Sequence, residues 1–286
     1  MNKTRWPDGK ETAVLVTINL DAELYARAYY PDLKLEGSGY EEKARVGIEV
    51  GLPRVLDVLR DYGVKATAFV PGFVAEKYSS SVKDIADSGH EVGARGYAQE
   101  NLALLSGEEQ KKAIKSGQDA VTAACGVAPR GFRAPLGEIT LETLEIVHDL
   151  GFSYSSSLSD EDTPYFNELK PGKILCEIPV FWSLCDLPYF IFDFWPPIPF
   201  GQSRISCFDK VLSNWKWEYD GARRDGSCYV LQIDPTTMGD PGRIFMLEDL
   251  LYYISHNGKP WFTTCGSVYD FVNDDGRARF ATTPMM

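Results

Sequence analysis

Three strand-like runs in this chain end on groups that can move protons or hold charge. The run Ala13 to Leu20 leads into Asp21 and Glu23, and a carboxylate at the end of a buried strand is a candidate base for activating water. Two arginines stand at comparable places, Arg95 in Ala94-Arg95-Gly96 and Arg133 in Gly131-Phe132-Arg133-Ala134-Pro135. A guanidinium offers forked donors to an oxyanion or a carboxylate, but its permanent charge leaves it no lone pair for a metal ion. Asp234 ends the run Ser227 to Ile233, directly before Pro235. Buried, it would hold a proton and serve as an acid; as an Asp-Pro pair it reads equally as a turn residue.

The elements that must position these groups alternate along the chain. Strands are expected at 13–20, 65–72, 90–96, 131–135, 152–158, 173–180, 227–234 and 260–264. Helices are expected at 46–63, 80–89, 106–125, 140–151 and 243–258, with Ser106 and Glu109 spaced as a capping box. This alternation argues a parallel α/β architecture with right-handed crossovers in one domain, 1–286. The stretch 181–226, rich in aromatics and prolines, reads as an insertion that lines a site or makes an oligomer contact. His148 and His256 fall on helices, His256 in a last turn where a cation suits the dipole.

The 286 residues are 44% hydrophobic, enough for a sizeable core, and the net charge of −12 argues against nucleic acid or anionic membranes as partners. No apolar leader or run long enough to cross a bilayer occurs, so a cytoplasmic location is expected. The six cysteines lack CxxC spacing and read as free buried thiols.

The stretch Gly89-His90-Glu91, Arg95-Gly96-Tyr97 and Gln99-Glu100-Asn101 resembles the second motif of the polysaccharide deacetylase family, the NodB-like carbohydrate esterase 4 group. That family places metal-binding histidines where this chain has Arg95 and Gln99. The resemblance extends over residues 14–243. Asp21 keeps a ligand position of the first motif, with Asn19 where the family has its base. Gly131 to Pro135 matches the third motif, and Gly151 to Tyr165 a further segment. Asp234 stands where the family has a histidine acid. The resemblance implies a distorted (β/α) barrel with its site at the C-terminal strand ends.

Four family positions have therefore changed together, to Asn19, Arg95, Gln99 and Asp234. A dead site and a rebuilt one both fit such a change. Arg95 with Asp21 reads either as a plain buried ion pair or as an oxyanion-stabilising device. Asn19 and the loss of the last histidine at Gln99 resemble in part the metal-independent branch, the allantoinase-like and cyclic imide hydrolases, whereas Arg95 departs from it, since that branch usually keeps the first histidine. That resemblance implies hydrolysis of a carbon–nitrogen bond in a small cyclic amide, such as a cyclic imide, allantoin or a hydantoin-like ring. The alternatives are a polysaccharide or peptidoglycan N-deacetylase homologue, a non-hydrolytic enzyme, or a catalytically dead relative. Asp21, Glu23, Arg95, Arg133 and Asp234 are the expected catalytic set, without metal or cofactor. Asn19, His90, Tyr97, Gln99, Tyr154, Phe194 and Trp195 are expected to bind substrate, the aromatics as walls for a flat ring, although each aromatic taken singly reads more readily as core packing. His90 reads more readily as a structural strand residue. The expected partner is a small molecule, with a homo-oligomer among the outcomes.

Overall fold

The computed structural model of the chain describes residues 6–29, 36–190 and 206–274. Nine strands occur among them: β1 (Thr12–Asn19), β2 (Thr67–Val70), β3 (Glu91–Ala94), β4 (Gly131–Phe132), β5 (Tyr154–Ser155), β6 (Tyr165–Lys170), β7 (Lys173–Glu177), β8 (Cys228–Ile233) and β9 (Pro260–Phe262). The chain forms two compact units, one of Met1–Lys65 with Phe181–Phe262 and the other of Ala66–Val180 with Thr263–Met286.

In the first unit β1 pairs in parallel with β8 and with β9. Every residue of β1 and β8 is buried, as expected of parallel strands covered on both faces. Their polar members are satisfied by the backbone: Thr17 Oγ1 donates to Leu231 O at 2.9 Å and Thr12 Oγ1 to Ser227 O at 2.6 Å. The register runs to Ile18 opposite Ile233, so the residues following both strands leave side by side. A bridge between Cys185 and Gln232 lays a third segment along the other edge of β8.

The helix expected at 46–63 starts earlier, running from Gly39–Val46 through a π-turn at Gly47–Gly51 into Leu52–Asp61. At the π-turn the backbone touches the loop after β8. A Cβ at Gly51 would lie 2.3 Å from Pro235 O, and one on Gly239 would lie 2.2 Å from the Gly51 Cα. Arg54 Nη1 adds a hydrogen bond to Gly239 O at 3.0 Å. Only glycine permits that approach, and it fixes the turn that carries Asp234. Within the stretch read as an insertion, the structure has a helix at Phe208–Asp225, with Trp215 and Tyr219 fully buried.

In the second unit β2, β3, β4, β5 and β7 pair in parallel in that order. Val70 lies opposite Ala94, Ala94 opposite Phe132, Phe132 opposite Ser155, and Ser155 opposite Glu177. One row of strand ends therefore presents Arg95, Arg133 and Ser156 in succession. The β6 strand departs from the parallel expectation, because it is antiparallel to β7. The cause is local: Pro171-Gly172 closes a hairpin between Lys170 and Lys173, with Gly172 at φ 83°. The helix at Gly107–Cys125 opens as expected, Ser106 N donating to the Glu109 carboxylate at 2.9 Å.

The six cysteines carry no disulfide, but Cys207 is exposed and Cys125 partly so, which corrects the reading of all six as buried. Among the described residues no helix is long and apolar enough to cross a membrane.

Candidate functional site

The first unit concentrates carboxylates where β1 and β8 end. Asp21, Glu23, Asp234 and Asp186 are each at least nine-tenths buried. Asp234 Oδ2 accepts the Asp21 backbone N–H at 3.3 Å, and its Oδ1 accepts Thr236 N at 2.7 Å. The two readings of Asp234 thus coincide, since it caps the short helix Pro235–Met238 and is also a buried acid. Burial first, and then the charge of Asp21, raise its carboxyl to about 7. Asp186 stands on the other side: its Oδ2 accepts Asp234 N at 2.8 Å. Burial, and then the Asp234 charge, hold the Asp186 carboxyl well above the ordinary carboxylate range. Between Asp21 and Glu23 the backbone is strained, with Ala22 at φ 48°. Such a conformation in a residue with a Cβ costs roughly 1–3 kcal/mol, and strain of this kind gathers at functional sites. Asn19, the last residue of β1, is buried as well.

The second unit holds the arginines. Arg95 is buried and donates from Nη1 to Ala134 O at 2.8 Å and from Nη2 to Pro135 O at 2.6 Å. Arg133 is more deeply buried, giving Nε to Ser156 O at 2.9 Å and Nη2 to Ser156 Oγ at 2.9 Å, with its guanidinium 4.1 Å above the Phe69 ring. The Arg-Ala-Pro motif is thereby a cradle, in which the backbone after Arg133 supplies the carbonyls that hold Arg95. Gln99 lies on the same loop as Arg95, buried and in the left-handed region at φ 63°.

The remaining expected site residues are placed as follows. His90 is buried, with Nδ1 accepting Ala66 N at 2.9 Å, a strand-locking role. Tyr97 gives its hydroxyl to Glu76 at 2.9 Å and lays its ring over Gly72. Tyr154 is fully buried, its hydroxyl donating to Glu91 at 2.9 Å and its ring filling the space above Gly131. That position makes Tyr154 a core residue. Phe194 and Trp195 lie outside the described residues.

Sequence reasoning missed two buried carboxylates. Asp186 sits in the aromatic stretch, where only its place beside β8 gives it meaning. Glu177 is fully buried at the end of β7, and its Oε1 accepts Ser157 N at 2.5 Å and Leu158 N at 2.9 Å. Its Oε2 has no partner, and burial pushes its carboxyl up to about 7.

Comparison with known proteins agrees with this architecture. The sequence profile of the polysaccharide deacetylase family matches residues 46–155. A peptidoglycan deacetylase of Helicobacter pylori is 31% identical over 81% of this chain and 87% of its own length. The chain belongs to the polysaccharide deacetylase family. A crystal structure of a Mycobacterium smegmatis putative polysaccharide deacetylase superposes with a TM-score of 0.90 at 30% identity, covering 100% of this chain and 99% of that one. The α/β fold of the NodB type is therefore the fold expected from the sequence. A PuuE allantoinase structure shares the fold at a TM-score of 0.81 and 17% identity, over 100% of this chain and 96% of that one. Polysaccharide deacetylases are hydrolases of carbon–nitrogen bonds, and this chain is a hydrolase of that family.

For a polysaccharide deacetylase the position of Arg95 decides whether the usual metal fits. A guanidinium that already spends two N–H groups on backbone carbonyls has nothing to offer a cation and repels it. The Gln99 amide oxygen is a weak replacement for imidazole. The residues present do not suit a zinc-like ion, so the chemistry below is built on this chain's own side chains.

Proposed function

We propose that the chain is a metal-independent hydrolase that opens a carbon–nitrogen bond in a small cyclic amide: a cyclic imide, allantoin or a hydantoin-like ring. The observation that carries this reading is the pair Asp21 and Asp234, two buried carboxylates tied through the Asp21 N–H, of which Asp234 holds its proton near neutral pH. A carboxyl group raised to about 7 beside a second buried carboxylate supplies the proton donor that acid–base hydrolysis needs.

In this reading Asp21 takes a proton from water as the water oxygen forms a bond to the ring carbonyl carbon. The C–N bond then breaks, and protonated Asp234 gives its proton to the departing nitrogen. The product is a ring-opened acid, and one water is consumed. Asp21 is preferred to Glu23 because of its direct tie to Asp234. Within the second unit, Arg95 and Arg133 hold guanidinium donors fixed in orientation, of the kind that binds a carbonyl oxygen or a carboxylate. The allantoinase sharing this fold is named for a cyclic ureide, which supports the substrate class. The peptidoglycan deacetylase relative favours a second reading, removal of an acetyl group from an N-acetylated sugar.

The test is a substrate panel run on purified protein with and without chelator: succinimide, hydantoin, allantoin and an N-acetylglucosamine oligomer. Turnover of one of the rings, unchanged by chelator and lost in Asp21→Asn, is the expected result. Turnover of the sugar alone, or activity that chelator abolishes, would overturn the proposal.

A further inference from the structure

In the second unit the direction of each guanidinium depends on a short backbone stretch, and two adjacent serines after β5 are common to both. Arg133 rests on the carbonyl and the hydroxyl of Ser156. Arg95 donates to Ala134 O, and the Ala134 N–H donates in turn to Ser157 Oγ at 3.0 Å. One serine thus leads to each arginine, and both serines and both arginines are buried.

The backbone ladder pins the serine stretch only in part. Ser156 N donates to Phe132 O at 2.9 Å, Ile178 N to Ser155 O at 2.9 Å and Val180 N to Leu158 O at 2.8 Å. Ser157 N and Leu158 N turn instead to a side chain, Glu177 Oε1, at 2.5 and 2.9 Å. Ser155 lies opposite Glu177 in the sheet, and its hydroxyl donates to Ser157 Oγ at 3.0 Å. Burying a carboxylate is unfavourable, and a neutral amide oxygen would accept the same two N–H groups without a charge. What the charge adds is strength, because hydrogen bonds to an ionised acceptor are roughly twice as strong as neutral ones.

We propose that Glu177 is the positioning residue of the two arginines: through Ser156 and Ser157 its carboxylate fixes where the Arg133 and Arg95 guanidinium groups point. Preorganised donors act only if the shell behind them is rigid, and Glu177 is that shell for both. The role holds for any ligand the arginines take and does not depend on the choice of substrate.

The grip depends on the charge of Glu177. Burial first, and then the charge of Asp160, raise its carboxyl, while the Leu158 and Ser157 N–H groups and the Ser155 hydroxyl lower it, leaving it at about 7. Tyr165 faces it from β6 and gives its hydroxyl to Asp160, and the Cys176 thiol stands next to it on β7. The helix Leu141–Asp149 shares the core with β7, but its Glu145 and Asp149 pair with Lys170 and Lys173. The N–H groups favour the ionised carboxyl, so ionisation tightens the serine stretch and protonation slackens it.

The test is NMR on the isotope-labelled full chain, titrated from about pH 5 to about pH 9 around the Glu177 midpoint. The Glu177 carboxyl carbon, the Ser157 and Leu158 amides, the Ala134 amide and the Arg133 Nε–H should shift with one shared midpoint near 7. Glu177→Gln should erase that transition yet keep the Arg133 Nε–H protected from exchange, since its amide oxygen still accepts both N–H groups. Glu177→Leu fills the space without an acceptor and should speed Arg133 Nε–H exchange about tenfold or more. An Arg133 Nε–H that stays still while Ser157 and Leu158 titrate would reduce Glu177 to a turn cap and overturn the proposal. A carboxyl with no transition in that range, a transition that survives in Glu177→Gln, or unchanged protection in Glu177→Leu would overturn it too. Should Glu177→Leu fail to fold, the unaltered protein decides: an Arg133 shift that follows the carboxyl upholds the proposal, and its absence overturns it.

Discussion

The carboxylate of Asp186 accepts the backbone N–H of Asp234 across 2.8 Å, so one buried acid is the anchor of another. Burial, and then the charge of Asp234, bias Asp186 toward its protonated form. The arrangement leaves Asp234 tied to the Asp21 N–H, with Asp186 fixing where the Asp234 backbone lies.

That division of labour predicts different outcomes for two substitutions of Asp186. Asp186→Asn keeps a carbonyl oxygen for the Asp234 N–H and replaces a neutral acid by a neutral amide, so stability at neutral pH should change little. Asp186→Ala strands a buried N–H and should cost about 1–3 kcal/mol. Urea denaturation of the two variants side by side checks this; equal losses would show that the hydrogen bond is not what matters.

The contact between Gly51 and the loop after β8 carries a second prediction. With a Cβ 2.3 Å from Pro235 O, Gly51→Ala must push the helix and the Asp234 turn apart. Overpacking of this kind costs about 1–3 kcal/mol. Gly63→Ala serves as a comparison of another sort, because Gly63 has open space around it but a φ of 65°. Gly51→Ala should therefore lose activity beyond its loss of stability, whereas Gly63→Ala should lose stability alone. Thermal melts paired with turnover rates distinguish the two.

Much of this was legible in the sequence because it follows from position. Asp21 and Asp234 end runs of strand-forming residues, and a parallel pair in register brings such ends together without further information. Arg95 and Arg133 followed in the same way from their strands. What was not legible depends on tertiary neighbours. Asp186 lies among aromatics that give no periodic signal, and only the bridge from Cys185 to Gln232 sets it beside Asp234. Glu177 closes an ordinary apolar strand run, and nothing in Lys173 to Val180 marks its carboxylate as fully buried. Tyr154 read as wall or core alike because aromatic residues serve as both, and its full burial decides for the core. The strand at Tyr165–Lys170 was hidden because its register depends on the Pro171-Gly172 turn rather than on a hydrophobic pattern of its own.

The raised carboxyl groups predict how stability varies with pH. Glu177 and Asp234 both reach about 7 when folded, and unfolded carboxylates titrate near 4. Between those limits the folded chain binds more protons than the unfolded one, so these groups destabilise it as pH rises. Their contribution is fully present below about pH 4 and is lost by about pH 7. Denaturant midpoints should therefore fall from pH 5 to pH 8 for this part of the balance. Glu177→Gln, which cannot ionise, should flatten the slope and stabilise the protein most at the alkaline end. A slope unchanged in Glu177→Gln would remove Glu177 from the account.

Asp234 also fixes the alkaline limit of catalysis. If it must be protonated to give its proton to the leaving nitrogen, kcat/KM should fall above about pH 7 as that proton is lost. Asp234→Asn removes the transferable proton while retaining an oxygen for the Thr236 N–H, so the fold should persist and the rate should drop about 10²–10⁴-fold. The residual activity should lose the alkaline fall, since the titrating group is gone. Substrates with a good leaving nitrogen need the acid least, so the loss should be smallest for the most acidic ring N–H. A pH profile that keeps its alkaline limb in Asp234→Asn would assign that limb to another group and leave Asp234 as a helix cap alone.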